Sequence, residues 1–356
     1  MIVSHNTSTR RHPERSGQAL AAALFWIFGA LLFVAPFYRA PDALGEEGLD
    51  AGRNAEMDIP FTQDVADFTA DFEIDLAPAM EEASEEFFGL ESPTLISSGV
   101  IHAARVRSGE VSYMRHCVGC HGSTGDGAGP ATRYLDPRPR NFRRGVFKFT
   151  STVSGGRPLP ADIFKTITAG LAGSSMPDFR LVSEERRWDL VEYVRYIAMR
   201  GEFEQLALDI AWDEEELPDF EEAAEIVLER WSLKKVKAVY PAISETDYDA
   251  DSIERGRAMF VDAQGANCAS CHGNGGAGDG PAADGKTDDW GYPLKPRDLR
   301  PGTYRAGQEP ADLYRSISTG INGTPMPSYL GAFEPEQIWD LVHFVQSLAG
   351  TDGGAR

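Results

Sequence analysis

The chain contains few cysteines and has no surplus of basic charge. Its 356 residues include only 4 cysteines, and its formal net charge is −21. A protein that binds nucleic acid non-specifically needs a cationic surface facing the phosphates, so this charge argues against that class. Outside its cysteine motifs, the sequence also lacks a nucleophile–base pair, a phosphate-binding loop and zinc-ligand spacing. These absences give weak evidence against an enzyme.

All of the cysteines lie in two copies of one motif, CVGCH at residues 117–121 and CASCH at residues 268–272. This spacing is that of covalent haem attachment, because thiols three positions apart can each reach one vinyl group of a porphyrin. The histidine that follows then faces the iron. One copy alone could be half of a zinc site, but two complete copies predict two covalently attached haem c groups. The predicted thioether residues are Cys117, Cys120, Cys268 and Cys271, and the predicted proximal iron ligands are His121 and His272.

The haem motifs belong to a longer internal repeat. A Gly-x-x-x-aromatic segment, a glycine-rich loop, a Met-Pro pair and a Trp-Asp-Leu-Val segment all recur at an offset of about 150 residues. Each copy shows three helical patches, which in the second copy cover residues 253–261, 310–319 and 335–348. The sequence therefore predicts two tandem all-α domains, at residues 101–201 and 253–350.

The other axial ligand of each iron decides between an electron carrier and an enzyme. Met176 and Met326 occupy equivalent places in the two copies, and each precedes a proline in a turn-forming loop. A methionine at helical spacing usually fills a core, but these two lie in loops. We therefore predict both as distal iron ligands. His/Met ligation fills both axial positions, which favours electron transfer.

Two pairs of residues are candidates for supporting the haems. The carbonyls of Pro130 and Pro281 could accept the Nδ1 proton of each proximal histidine, although a simple turn proline is an equal alternative. Arg140 and Arg297 could neutralise haem propionates through charge-assisted hydrogen bonds. The alternative for each arginine is a solvated side chain.

Residues 19–38 form the one long uncharged run, which is long enough to cross a bilayer as a helix. A signal peptide is the alternative, but Tyr38 would occupy position −3 of a cut after Ala40, where a small residue is needed. Basic residues precede the run and acidic residues follow it, so residues 1–40 are predicted as a cytoplasmic N-terminus and transmembrane anchor. The prediction is a single-pass inner-membrane protein with its haem domains on the periplasmic side.

Two acidic segments connect these parts. Residues 41–100 mix Asp and Glu with phenylalanines and are predicted as a solvated spacer, the alternative being a segment that folds back on a basic surface through its aromatic residues. Residues 202–252 are predicted as an acidic helical linker. Its one helix, at residues 219–240, is expected to brace the domains, and a helix dedicated to a partner protein is the alternative.

Each half resembles a class I cytochrome c domain, on the evidence of CxxCH, the Gly-x-x-x-aromatic helix, the Met-Pro loop and the Trp-bearing last helix. The whole chain resembles the membrane-anchored dihaem cytochromes c of bacterial respiratory chains. The resemblance covers roughly residues 105–200 and 253–350. It implies an all-α fold that holds each haem between His and Met, and it implies redox protein partners.

The leading functional hypothesis is an electron carrier, or the cytochrome subunit of a respiratory complex, that relays single electrons. The rival is a dihaem enzyme such as a peroxidase or a thiosulfate-oxidising cytochrome. A redox sensor is a third class, but no output domain is recognisable. A basic cluster at residues 138–148 gives the first domain a positive face. We expect this face either to meet its own redox partner or to be covered by the acidic linkers.

Overall fold

The computed structural model describes residues 68–349, apart from residues 70, 73, 235 and 237. The predicted anchor at residues 19–38 lies outside the described residues. Within the described part, no helix is long and apolar enough to cross a membrane.

The described residues form α-helices joined by loops and isolated β-bridges, without a β-strand, which confirms the all-α prediction. The helices are α1 (Leu76–Phe88), α2 (Pro93–Ser98), α3 (Ala103–His116), α4 (Val118–His121), a 3-10 turn (Thr132–Tyr134), α5 (Pro160–Ala169), α6 (Glu184–Glu214), α7 (Phe220–Trp231), α8 (Ala250–Val261), α9 (Ala269–His272), α10 (Pro310–Thr319) and α11 (Pro335–Ser347).

In the first domain, α3 packs closely against α6. Gly109 makes the crossing possible, because a Cβ there would overlap the backbone carbonyl of Asp189. One turn further on, the rings of Tyr113 and Tyr193 lie 5.0 Å apart between the same two helices. Since α3 leads directly into the first haem motif, this crossing sets where that motif lies.

The second domain repeats the arrangement with α8 and α11. Gly256 faces the carbonyl of Asp340, and the rings of Phe260 and Phe344 lie 5.0 Å apart. The middle helix α10 has the predicted bounds, whereas α8 begins three residues before the predicted Ile253 and α11 ends one residue early. The repeat therefore predicts the helices of this domain well.

The last helix of the first domain does not end near residue 201. Instead, α6 continues to Glu214, and the side chains of Phe203, Ala207 and Ala211 in this extension are fully buried. The predicted start of the linker at residue 202 is therefore wrong, because the helix of the first domain continues to Glu214. These apolar residues continue the buried face of the helix, so the chain has no reason to break there.

The linker helix is also shorter than predicted. Its N-cap is Asp219, whose side chain accepts a hydrogen bond from the N–H of Glu222 over 3.0 Å, and it ends at Trp231 rather than at residue 240. It packs against α6 and α1. The indole Nε1 of Trp231 donates to Glu202 over 2.8 Å. The helix is thus a brace within the first domain.

The described part of the predicted acidic spacer is packed, which corrects that prediction. Leu76, Met80 and Phe88 of α1 are fully buried, and the hydroxyl of Tyr196 donates to the carbonyl of Phe88 over 2.9 Å. The aromatic residues do act as anchors, as the alternative expected, but α1 packs on the apolar surface of α6 and α7. The acidic residues between them face solvent, so composition alone concealed the buried face.

The basic cluster of the first domain is covered by a loop of the second domain at residues 288–292. The guanidinium of Arg138 lies 4.5 Å from the ring centre of Tyr292, and that of Arg140 lies 3.8 Å from the ring centre of Trp290. Such cation–π contacts hold the two domains together. Another member of the cluster, Arg143, forms an ion pair with Glu204 of the predicted linker at residues 202–252. The acidic linker therefore covers part of this face, as expected, while the second domain contacts Arg138 and Arg140.

The helix crossing of the second domain gives a test. In an open helix, replacing glycine by alanine stabilises by about 1 kcal/mol. At Gly256 the added Cβ overlaps backbone atoms, so we expect Gly256→Ala to lower the free energy of unfolding by about 1–3 kcal/mol. Denaturant titration of the holoprotein measures it. Gly275→Ala is the matched control, because its Cβ meets nothing within 4 Å. A Gly256→Ala protein as stable as the control would contradict the crossing.

The packing of the N-terminal segment gives a second test. We expect Phe88→Ala to lower the free energy of unfolding by about 3–5 kcal/mol, because a buried aromatic side chain leaves a cavity. Ile96→Ala, at a side chain that is 57% exposed, should change it by less than about 0.5 kcal/mol. The same denaturant titration compares the two variants. Equal, small effects would restore the solvated-spacer interpretation.

Candidate haem-binding sites

The first CxxCH motif forms one turn of helix directly after α3. The N–H groups of Cys120 and His121 both donate to the carbonyl of Cys117, over 3.1 and 2.9 Å. This turn brings both cysteines and the histidine to the wall of one cavity. Residues 268–272 form the same turn and line a second cavity. The structure therefore brings each predicted attachment set together.

A glycine-rich loop closes over each turn. The N–H of Gly129 donates to the carbonyl of Cys120 over 3.2 Å, and that of Gly280 donates to Cys271 over 3.1 Å. A Cβ on Gly129 would lie 2.6 Å from the carbonyl oxygen of Gly119. Only glycine permits this backbone approach, which explains why the loop recurs in both copies.

Each proximal imidazole is held by a backbone carbonyl. The Nδ1 atom of His121 lies 3.0 Å from the carbonyl oxygen of Arg140, and that of His272 lies 3.0 Å from the carbonyl oxygen of Arg297. A proton on Nδ1 donates to the carbonyl and leaves Nε2 free to bind iron. Burial lowers the pKa of both imidazoles, which favours the neutral form that a metal requires.

This contact corrects the role predicted for the prolines. The carbonyls of Pro130 and Pro281 do not hold the imidazoles, and both residues are exposed. The carbonyls of Arg140 and Arg297 take that role instead. The reason is topological: the residues on either side of each proline bond to the backbone of the CxxCH turn, whereas the later Pro-Arg segment of each repeat reaches the imidazole.

The predicted methionines line the same cavities as the haem motifs. Met176 contributes to the wall of the first cavity and Met326 to the wall of the second. Their loops close alike: the N–H of Leu171 donates to the carbonyl of Met176 over 3.1 Å, and Ile321 donates to Met326 over 3.2 Å. Met114 lines neither cavity. The ligation of iron by these two methionines remains a prediction.

The sequence reasoning missed several aromatic residues of the cavities, and two of them form a matched pair. Phe179 lines the first cavity and Tyr329 the second, and each lies three residues after the methionine of its loop. The Tyr329 hydroxyl donates to the carbonyl of Ala266 over 2.6 Å, next to the second haem motif. The matched offset from the two methionines was the available signal.

The predicted propionate-binding arginines line the cavities as well. Arg140 borders the first cavity and Arg297 the second. Burial lowers the pKa of Arg140 to about 10. The Nε atom of Arg297 is buried and has no hydrogen-bond partner among residues 68–349 that the structure describes. A buried, unpaired guanidinium nitrogen calls for an anionic partner.

The residues of each cavity fit a covalently bound haem. Two thiols and an imidazole stand on one wall, a thioether stands in the wall formed by the Met-Pro loop, and apolar side chains such as Ile163 and Leu313 fill the rest. Arginines border each cavity, where the propionates of a haem need cations. The sulfur and nitrogen donors are those that haem c uses.

Comparisons with known proteins agree with this chemistry. Residues 253–349 match the family model described as cytochrome c, and residues 104–194 match that described as cytochrome C oxidase, cbb3-type, subunit III. The chain is similar to a chain from the reducing HAO-like protein complex of Kuenenia stuttgartiensis. The two are 31% identical, the match covers 68% of this chain and 96% of that chain, and the TM-score is 0.56. No curated protein matches.

Each family match contains one haem motif together with its carbonyl-bound proximal histidine. The match to the solved relative covers more of the chain than either family match does. The chain belongs to the cytochrome c family and is an electron-transfer cytochrome with covalently bound haem c.

Proposed function

We propose that the protein is an exported, membrane-anchored dihaem cytochrome c that relays single electrons between its two haems and to a redox protein partner. One observation carries the proposal. Two cavities, each with a CxxCH turn and a Met-Pro loop in its wall, lie side by side and share wall residues. Electrons can pass between cofactors that are held this close together.

The chain's own residues suit an outer-sphere carrier. His121 and His272 are held in one tautomer by backbone carbonyls, so each imidazole is oriented before iron binds. Met176 and Met326 supply a soft sulfur ligand that favours ferrous iron. The haem supplies the one-electron chemistry, and the protein supplies the two axial groups, the apolar wall and the cations.

The proposed cellular setting is supported by the sequence and by similarity. The uncharged run at residues 19–38, with basic residues before it, supports a single-pass anchor in the inner membrane and haem domains on the periplasmic side. The solved relative belongs to a redox protein complex, which supports a role as the cytochrome subunit of such a complex. In either setting the redox partners are proteins.

The number of haems is the first test. We expect the purified holoprotein to carry two covalent haems, and the double variants Cys117→Ser/Cys120→Ser and Cys268→Ser/Cys271→Ser to carry one each, because each pair of thiols attaches one porphyrin. Intact-protein mass spectrometry and a haem-specific absorbance assay count them. One haem in the unaltered protein would overturn the dihaem assignment.

The axial methionines give the second test. We expect Met176→Ala and Met326→Ala each to remove about half of the near-infrared band of Met-ligated ferric haem, and each to lower one reduction potential because a sulfur ligand is lost. Met114→Ala is the control, since that residue lines neither cavity.

Two results would contradict the carrier assignment. High-spin iron at one haem of the unaltered protein would mean that an axial position is open. Peroxide-dependent turnover by the purified protein would favour the dihaem enzyme instead.

A further inference from the structure

Three residues form a wall that the two haem cavities share. Lys148 and Phe149 come from the first domain and Arg305 comes from the second, and each of them lines both cavities. The Nη2 atom of Arg305 donates to the carbonyl of Gly173 over 3.4 Å, in the loop that carries Met176. Each domain thus places one cation at the cavity of the other.

The interface that holds this wall has specific polar contacts on both sides. Lys165 forms an ion pair with Asp312 across it, and the carboxylate of Asp312 is almost fully buried. The N–H of Gly155 donates to the side-chain oxygen of Asn322 over 3.0 Å. These contacts join the first domain to the helix and the Met-Pro loop of the second. The cations of the shared wall are therefore held in place by the packing of the domains.

Asp288 lies near Lys148 and Asp136 near Arg305, but neither carboxylate forms an ion pair with the cation of the shared wall in the part of the chain that the structure describes. Lys148 forms no hydrogen bond or ion pair with any residue that the structure describes. The buried Nε of Arg305 likewise has no partner within the described part of the chain. Burial, together with the charges of Arg140 and Arg305, lowers the pKa of Lys148 to about 8, and Asp288 opposes this only in part. Cations crowded in this way are stabilised by an anion placed among them.

We propose that Lys148 and Arg305 form one shared carboxylate-binding site for both haems, so that each domain supplies a cation to the propionates of the other domain's haem. The inference rests on the proposed function, since it needs both haems. Haem carries its carboxylates at one edge of the porphyrin, and Arg and Lys bind carboxylates through charge-assisted hydrogen bonds. Arg140 and Arg297 would each serve the haem of their own domain.

A shared cation acts on the reduction potentials of both haems. Reduction removes one positive charge from a haem, so a nearby cation favours the reduced form. Loss of a cation that faces both haems must therefore lower both reduction potentials. Loss of a cation that faces only one haem lowers the potential of that haem alone.

The test uses two separate variants of the full holoprotein, Lys148→Gln and Arg305→Gln. Spectroelectrochemical titration measures the reduction potentials of both haems in each variant. The potentials are first assigned with Met176→His and Met326→His, each of which alters one haem. We expect each glutamine variant to lower the reduction equilibrium constants of both haems by about tenfold, which corresponds to about 59 mV for one electron.

Matched variants separate a shared role from a structural one. Lys148→Arg and Arg305→Lys keep the charge, and we expect both potentials to stay near those of the unaltered protein. Lys295→Gln is the control for a one-sided cation, because Lys295 lines only the second cavity. It should move only the potential of the second haem.

The outcomes are distinct. If Lys148→Gln moves only the first haem and Arg305→Gln only the second, or if neither potential moves, the shared site is overturned while the dihaem carrier stands. If mass spectrometry finds fewer than two haems in the unaltered protein, the proposed function is overturned and this inference with it. The shared site is supported if each glutamine variant lowers the potentials of both haems and if Lys148→Arg and Arg305→Lys leave both potentials near those of the unaltered protein.

Discussion

A glycine at the crossing of the first and last helices is the constraint on which each haem domain depends. At Gly109 and Gly256 the neighbouring helix comes so close that its backbone carbonyl fills the space of a side chain. The crossing directs the end of the first helix, and with it the CxxCH turn, towards the cavity. It also brings together the aromatic pair beneath that turn. The haem site is therefore built on a backbone contact.

The Pro-Arg segment that follows each glycine-rich loop has two structural roles. Its backbone carbonyl holds the proximal imidazole, at Arg140 and at Arg297. Its guanidinium borders the haem cavity and makes further contacts: that of Arg140 stacks on Trp290 of the second domain, while that of Arg297 donates to Thr303. One residue type thus serves iron ligation in both copies. The Arg297 guanidinium also lies against Gly173 of the first domain, where an added Cβ would come within 2.5 Å of its Nη2 atom. In both copies this residue therefore also contacts the other domain.

Much of this could be predicted, and the failures have physical reasons. The attachment motifs, the methionine loops and the helices of the second domain follow from local spacing that repeats. The prolines were assigned wrongly because a carbonyl's position in sequence does not tell which imidazole nitrogen it faces. The acidic segment was taken for a spacer because its charges outnumber the few residues, such as Phe88, that are buried.

The sequence by itself determined the chemistry of each site: two CxxCH turns, two Met-Pro loops and glycines where the backbone must pass closely. These depend on residues within one repeat, so local spacing is enough to predict them. Only the tertiary structure decided which groups of one domain reach the other. Lys148 and Arg305 lie far apart in sequence, and nothing in local spacing predicts that both border both cavities. Their meeting depends on the packing of two folded domains, which is a long-range property of the whole chain.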